Sequence, residues 1–230
     1  VEANLLSRAY CDTVARDAAL VYHLAAGAGT KSFADAYRNS VVTTRNLLEA
    51  VLDHHTPKRF VNVSSFAVYS NNNKPRRGIL DEACPVDPFP ETRGEAYCYA
   101  KVKQDELVMA YGRERGLPYV LVRPGVVSAP GNLSITGRAG IDTLGLFLHL
   151  GGGNSIPFTY VDNCADAIAL AGLTPGVDGE VFNVVDDALP SSRTFVRLYK
   201  KHARSFRPVY VPHAITYGLC WLWEAYSTRS

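Results

Sequence analysis

The 230 residues of the chain can form one large domain or two small ones, and they can bury a hydrophobic core without disulfide bonds. Hydrophobic residues make up 47% of the sequence and charged residues 20%, which is typical of a folded globular protein and excludes a disordered or collagen-like chain. The net charge of +2 is too small to indicate nucleic acid or anionic lipid as a partner.

The cysteines and the apolar stretches lead to expectations about where in the cell the protein is located. Five cysteines are scattered along the chain and none is spaced as a Cys-x-x-Cys pair, which favours a reducing, cytoplasmic location. The stretch 209–226 contains Pro212, His213 and Glu224, so we expect no transmembrane segment. The first residues contain neither an initiator Met nor a secretory signal, and we expect the sequence to begin inside a longer protein.

Short apolar runs alternate with longer segments of helical periodicity. Runs rich in apolar and β-branched residues predict strands at 19–24, 59–63, 119–122 and 180–185. Apolar residues at helical spacing predict helices over 37–52 and 95–115. Apolar strands that alternate with helices predict an α/β fold with a doubly wound parallel sheet. The ligand crevice of such a sheet lies at the carboxyl ends of its strands.

The pattern loosens after Gly125, where we predict a smaller, irregular second lobe. One helix is predicted over 164–173 and another after Ser191. The stretch 215–226 predicts a helix whose aromatic residues pack in the lobe core or at a homodimer contact, with a substrate lid or a membrane-surface helix as the alternative. The basic run 197–207 is interpreted as a solvated helix face, with an anion site as the alternative.

The predicted helix 95–115 carries Tyr97 and Lys101, which are four residues apart and therefore share one helix face. A tyrosine has a pKa of about 10, and a nearby ammonium group favours the phenolate and brings proton transfer towards neutral pH. Such a pair suits the reversible oxidation of an alcohol. The pair Tyr99 and Lys103 has the same spacing, so spacing by itself does not decide between them.

A hydroxyl group is predicted beside this pair. The strand 59–63 runs directly into Ser64 and Ser65, which puts hydroxyls at the carboxyl end of the strand. A serine there can hydrogen-bond a substrate carbonyl, while a tyrosine transfers the proton and a lysine holds the ribose of a nicotinamide cofactor. The sequence contains no cluster of His, Cys, Asp and Glu with metal-ligand spacing, so we expect no metal.

Five segments match family motifs in order: 21–26 (VYHLAA), 63–69 (VSSFAVY), 97–105 (YCYAKVKQD), 121–127 (LVRPGVV) and 160–167 (YVDNCADA). On these segments the chain resembles the extended short-chain dehydrogenases/reductases, the superfamily of NAD-dependent epimerases/dehydratases and 3β-hydroxysteroid dehydrogenase-like enzymes. The third segment resembles the family's Tyr-x-x-Ser/Ala-Lys-x-x-x-Glu, with Asp105 in the place of Glu. This match selects Tyr97 and Lys101 over Tyr99 and Lys103.

The resemblance implies a Rossmann-type fold, a small-molecule substrate, and NAD or NADP as the cofactor. It implies that residues 1–135 form a partial cofactor-binding domain with the catalytic residues, and that 136–230 mainly form a substrate-binding lobe, with a strand near 180–185 returning to the sheet. The implied catalytic residues are Ser65, Tyr97 and Lys101. The implied cofactor contacts are Leu24, Ala25, Ala26, Ser40, Ser64, Tyr97, Lys101, Pro124 and Val127. The implied substrate contacts are Phe66, Ala67 and Val126.

The family's opening strand and its Gly-x-x-Gly-x-x-Gly turn have no counterpart in the sequence. Two βα units take roughly 60 residues, so we expect a Rossmann-type sheet that is incomplete at its N-terminal side. That turn binds the cofactor pyrophosphate, and a residue after the second strand selects NAD or NADP, so the choice of cofactor stays open. Ser40 stands where the family has Asn, so this cofactor contact departs from the family pattern. The lone His23 is interpreted as a core or turn residue.

Departures from the family pattern narrow the expected substrate. Related dehydratases carry an Asp-Glu pair where Phe66 and Ala67 stand, so we expect no dehydration. Nucleotide-sugar epimerases have Asn at the place of Val126 and a diphosphate-binding Arg at the place of Ile156. We therefore expect a 3β-hydroxysteroid dehydrogenase-like oxidoreductase that acts on a secondary alcohol or ketone. The alternatives are a nucleotide-sugar epimerase and a non-catalytic, dinucleotide-sensing or fragmentary protein.

Overall fold

A computed structural model describes residues 4–27, 32–54, 57–70, 79–131, 136–143 and 145–227. The described strands are β1 Leu20–His23, β2 Arg59–Val63, β3 Tyr119–Pro124, β4 Val126–Ser128, β5 Gly140–Thr143, β6 Leu146–His149, β7 Phe158–Tyr160, β8 Val181–Val184 and β9 Pro208–Tyr210. The described α-helices are α1 Arg8–Ala15, α2 Phe33–Tyr37, α3 Thr43–His54, α4 Ala96–Arg115, α5 Val161–Leu173, α6 Ser192–His202 and α7 His213–Ser227. The chain divides into two compact units, one of Val1–Gly125 and Asp162–Val184, the other of Val126–Val161 and Val185–Ser230.

The first unit contains a parallel four-stranded sheet with the order β1-β2-β3-β8. One face of the sheet carries Phe60 and Leu121, which pack against Leu48 and Val51 of α3 and Val108 of α4. The opposite face carries another core cluster of Val61, Val120 and Val122, which α5 covers with Ala171 and Ile168. Because helices cover both faces, the predicted doubly wound α/β sheet is confirmed.

The helix predicted over 37–52 is not continuous. A π-helical turn, Arg38–Val42, separates α2 from α3. The side chains of Thr43 and Thr44 both donate to the carbonyl of Ser40, and Thr43 also donates to that of Asn39. Hydroxyls bonded to backbone carbonyls in this way disturb a regular helix, which accounts for the irregular turn.

The second unit is smaller and has short sheets, as expected. Strands β4 and β7 pair in parallel, while β6 pairs antiparallel with β5 and parallel with β9. Its core contains Ala139, Phe147, Ile156 and Val196. No helix within the described ranges is long and apolar enough to cross a bilayer.

The final predicted helix is present as α7. Trp221 is 60% exposed and Tyr217 66% exposed, so the lobe-core alternative does not hold for these two rings. A homodimer contact at α7 stays a prediction, as do the substrate lid and the membrane-surface helix.

Gly112 of α4 tests the packing of this helix on the sheet. A methyl group at Gly112 would lie 2.6 Å from Cδ1 of Tyr119, which belongs to the partly buried shell of the core. We expect Gly112→Ala to lower the free energy of unfolding by about 1–3 kcal/mol because the ring must shift. Chemical denaturation followed by circular dichroism measures this change.

The matched control is Gly218→Ala in α7, since nothing lies within 4 Å of a methyl group at that position. Alanine favours a helix over glycine by about 1 kcal/mol, so this variant should be unchanged or more stable. If Gly112→Ala is as stable as Gly218→Ala, the packing of Tyr119 against α4 is wrong.

Candidate active site

The predicted site residues come from the ends of parallel strands and from α4. Leu24, Ala25 and Ala26 directly follow β1, Ser64 and Ser65 follow β2, and Pro124 is the last residue of β3. Neighbouring parallel strands end at the same sheet edge, so these residues share the edge at which α/β proteins bind ligands.

Lys101 is buried, with only 3% of its surface exposed. Its Nζ donates to the carbonyl of Val63, 2.8 Å away at the end of β2, and to Oε1 of Gln104 at 2.9 Å. Burial lowers the pKa of Lys101 to about 8, although the nearby carboxylate of Asp105 acts in the opposite direction. The ammonium is therefore fixed in place and titrates close to neutral pH.

Tyr97, one helical turn before Lys101, is 39% exposed, and its phenol lies near the side chain of Ser65. Burial raises the pKa of Tyr97, while the neighbouring Ser65 hydroxyl acts in the opposite direction. The expectation that Lys101 lowers this pKa is not met, because desolvation of the phenol dominates.

Ser65 begins a 3-10 turn, Phe66–Val68, in which its Oγ accepts a hydrogen bond from the backbone N–H of Ala67 at 3.2 Å. The turn follows β2 directly, and Ser65 lies close enough to Tyr97 of α4 to affect its pKa. The structure thus brings two of the three predicted catalytic side chains near each other.

The overlapping pair Tyr99 and Lys103 lies in different surroundings. The ring of Tyr99 packs edge-on against Phe33 at 5.2 Å between ring centroids, and also lies beside Tyr37. Lys103 is bound to Glu106 at 2.9 Å on the helix surface. Neither residue contacts a hydroxyl at a strand end among the described residues, so the geometry separates the two pairs.

A buried ionic cluster lies beneath the site. Asp105 accepts hydrogen bonds from Ser64 Oγ at 2.9 Å, from Asn62 Nδ2 at 3.2 Å and from the guanidinium of Arg123 at 3.1 Å. Burial raises the pKa of Asp105, and Arg123 and Ser64 act against this shift. Ser64 therefore has a structural partner in Asp105, and its contact with a cofactor stays a prediction.

Gln104 is a site residue that sequence reasoning missed. It is fully buried, and its Nε2 lies 2.7 Å from Oγ1 of Thr44 and 3.1 Å from Nε2 of His23. An ammonium can only donate, so the Gln104 oxygen must face Lys101 and the amide nitrogen must face Thr44 and His23. The missed signal is the spacing of Gln104, which follows Lys101 by three residues on the same helix face.

His23 has the buried role that the sequence indicated. Its Nε2 lies 3.1 Å from Nε2 of Gln104 and 2.8 Å from Oγ1 of Thr44. Burial, with the charge of Lys101 nearby, lowers the pKa of His23 to about 4, so the ring is neutral. Its hydrogen-bond partner Thr44 donates to the Ser40 carbonyl, and Ser40 Oγ accepts from the N–H of Gly27. The chain of contacts thus links Lys101 to the turn after β1.

The remaining predicted contacts are placed as follows. Leu24 and Ala25 are exposed at the end of β1, while Pro124 is buried at the end of β3. Phe66 is buried in a core cluster with Val68 and Tyr69, which is a packing role, and Ala67 beside it is half-buried. Val126 and Val127 belong to the second unit, where they line a groove of about 210 Å³ that is described below.

Comparisons with known proteins support the same fold. The family model of the NAD-dependent epimerase/dehydratase family matches residues 1–184. A UDP-glucuronic acid 4-epimerase from Bacillus cereus, solved with NAD, has a TM-score of 0.73 at 22% identity, over 92% of this chain and 68% of that chain. This likeness shows the fold.

Two further relatives match a smaller share of the chain. Cinnamoyl-CoA reductase 1 of Petunia hybrida is 27% identical over 40% of this chain and 28% of its own length. A trifunctional UDP-glucose 4,6-dehydratase/UDP-4-keto-6-deoxy-D-glucose 3,5-epimerase/UDP-4-keto-L-rhamnose-reductase of Arabidopsis thaliana is 29% identical over 64% of this chain and 22% of its own length. The chain thus spans about a quarter of the length of these relatives.

The family model covers most of the chain, and the parallel sheet, the strand-end serines and the Tyr97 and Lys101 helix all lie within its range. The chain therefore belongs to the NAD-dependent epimerase/dehydratase family, as the resemblance in its motifs predicted.

Proposed function

We propose that the protein is an NAD(P)-dependent oxidoreductase that interconverts a secondary alcohol and a ketone. The observation that carries the proposal is the placement of Ser65 near Tyr97 at the carboxyl edge of the sheet, with the buried ammonium of Lys101 one turn further along α4. A hydroxyl pair beside a fixed cation is the arrangement required to hold a substrate oxygen and exchange its proton.

The residues at this edge fit the nicotinamide half of a dinucleotide. Tyr97 and Lys101 offer an O–H and an N–H donor for ribose hydroxyls, and the exposed Leu24 and Ala25 offer an apolar surface for a flat ring. NAD or NADP, when bound, accepts a hydride from the alcohol carbon or donates one to the ketone carbon.

Each side chain then has a defined task. Ser65 donates a hydrogen bond to the substrate oxygen. Tyr97 takes the hydroxyl proton onto its phenolate oxygen during oxidation and returns it from its hydroxyl during reduction. Lys101, one turn along α4, would hold a ribose hydroxyl of the cofactor with its remaining N–H donor.

The second unit supports a substrate of low charge. Its groove of about 210 Å³ is lined by seven residues, none of which is Asp, Glu, Lys, Arg or His: Val126, Val127, Ser128, Thr136, Phe158, Phe195 and Tyr199. Such a lining favours an apolar or aromatic body over a diphosphate, which needs charge-assisted contacts. We therefore favour the 3β-hydroxysteroid dehydrogenase-like branch of the family.

A nucleotide-sugar epimerase is the second candidate, because the solved relative named above is a UDP-glucuronic acid 4-epimerase with the same fold. The two candidates differ in redox balance. An oxidoreductase that reduces a ketone consumes added NAD(P)H in proportion to product, whereas an epimerase retains its cofactor and inverts a sugar carbon without net redox change. Absorbance of NAD(P)H during turnover of a ketosteroid or of a UDP-sugar separates them.

Tyr97→Phe tests the proposed proton transfer. The variant keeps the ring but loses the hydroxyl, so turnover should fall by about 100-fold or more while the dissociation constant for NAD(P)H stays nearly unchanged. Steady-state rates and NAD(P)H fluorescence measure the two quantities. The matched control is Tyr99→Phe, which removes a hydroxyl from the same helix and should keep near-parental turnover. Equal losses in the two variants would contradict the assignment of Tyr97.

Gln104 is proposed as a positioning residue for Lys101. Its oxygen accepts from the ammonium, and a hydrogen bond to a charged group contributes about 1.5–3 kcal/mol, or about one to two pKa units. Gln104→Leu should therefore lower the pKa of Lys101, and Gln104→Glu should raise it, because a carboxylate adds an attractive charge. NMR of lysines labelled at Cε, with the signal assigned from Lys101→Arg, follows this titration.

The neighbouring charged groups must stay the same in this comparison. They are Asp105 on the same helix with its partner Arg123 from β3, Tyr97 one turn earlier, and the neutral His23 from β1. The alkaline limb of the turnover profile should move with the pKa of Lys101 in each variant. Shifts of the same sign in both variants would refute the positioning role, and thermal unfolding checks that each variant is folded.

A further inference from the structure

The second unit contains a basic groove that the proposed reaction does not use. Its volume is about 470 Å³, within the range of small-molecule sites. The lining residues come from α6, β6 and β9: His149, Arg193, Val196, Arg197, Lys200, Pro208 and Tyr210. We refer to it as the α6 groove.

The cations of the α6 groove lie on one face of the helix. Arg193, Arg197 and Lys200 are spaced four and three residues apart, so they follow one another along roughly 10 Å of the helix axis. All three side chains are exposed. Within the part of the chain that the structure describes, none of them forms an ion pair with a carboxylate. Three adjacent cations without a counter-charge attract an anion.

The wall and floor of the α6 groove are aromatic and apolar. The half-exposed ring of Tyr210 lies beneath the guanidinium of Arg193, 6.0 Å from the ring centroid, and packs edge-on against His149 at 5.7 Å. His149 is buried and held by Ser192 Oγ at 3.0 Å, so this wall is anchored to the start of α6. Pro208 and Val196 complete an apolar surface against which a flat ring can stack.

The α6 groove is separate from the groove that holds Val126 and Val127. The two share no lining residue, since α6 presents Phe195 and Tyr199 to the smaller groove and its cationic face to the larger one. The basic run that the sequence suggested as a solvated face thus borders a cavity. The cations are therefore not needed to hold a substrate at Val126 and Val127.

We propose that the α6 groove binds a small molecule in which a phosphate ester is attached to a flat aromatic ring. The phosphate lies beside Arg197, between it and either Lys200 or Arg193. The ring stacks on Tyr210. Arginine and lysine donors to phosphate form charge-assisted hydrogen bonds, which are stronger than neutral ones. This site is independent of the proposed redox reaction.

The test uses 1-naphthyl phosphate as the probe and isothermal titration calorimetry as the measurement. The parent protein should bind it more tightly than inorganic phosphate or 1-naphthol alone, because each of these supplies one half of the contacts. Arg197→Ala combined with Lys200→Ala should weaken binding by about 10-fold or more, since two charge-assisted contacts are lost. Tyr210→Leu should weaken the binding of 1-naphthyl phosphate but not that of inorganic phosphate.

Lys201→Ala is the matched control, because Lys201 is an exposed cation on the same helix that does not line the groove. Its affinity for 1-naphthyl phosphate should stay within about twofold of the parent. An equal loss with Lys201→Ala, or no binding by the parent, would overturn the proposal. The proposal would also be overturned if the protein sedimented with vesicles of phosphatidylcholine and phosphatidylserine but did not bind naphthyl phosphate. That result would identify the cations as a lipid contact. All of these outcomes are read from binding and do not depend on turnover.

Discussion

The burial of a positive charge is the constraint on which the rest of the site depends. Lys101 is almost fully enclosed, and a buried ammonium is tolerated only where its donors are satisfied and opposite charge is near. The end of β2 supplies a carbonyl, Gln104 supplies an amide oxygen, and Asp105 supplies the charge. Asp105 is in turn held by Arg123, so α4 is tied to the sheet by polar contacts as well as by its apolar face. This anchoring fixes the turn that carries Tyr97.

Much of the fold could be predicted because it rests on local pattern. The strands at Arg59–Val63 and Tyr119–Pro124 are largely buried, and α4 ends at Gly116, which has a positive φ. The break between α2 and α3 could not be predicted, because it depends on where the hydroxyls of Thr43 and Thr44 find acceptors. The exposure of Trp221 on α7 could not be predicted from the sequence pattern either, since an apolar helix face has the same pattern whether or not it is covered.

The candidate site shows a similar division. The position of Ser65 after a strand and the spacing of Tyr97 and Lys101 indicated candidates, and the resemblance to family motifs selected Tyr97 over Tyr99. The direction of the Tyr97 pKa could not be predicted, because it depends on how deeply the phenol is buried in the folded chain. Gln104 was not predicted as a site residue for a related reason. Its importance comes from contacts with Thr44 and His23, which are distant in sequence and meet only in the folded chain.

The central claim is that Ser65, Tyr97 and Lys101 face a nicotinamide ribose at one edge of the parallel sheet. A crystal structure of the protein with NAD(P)H tests it most directly. The account predicts Lys101 Nζ about 3 Å from a ribose hydroxyl, with the Tyr97 hydroxyl beside the nicotinamide ring. A cofactor bound at another edge, or one that leaves these three side chains without a shared contact, would contradict it.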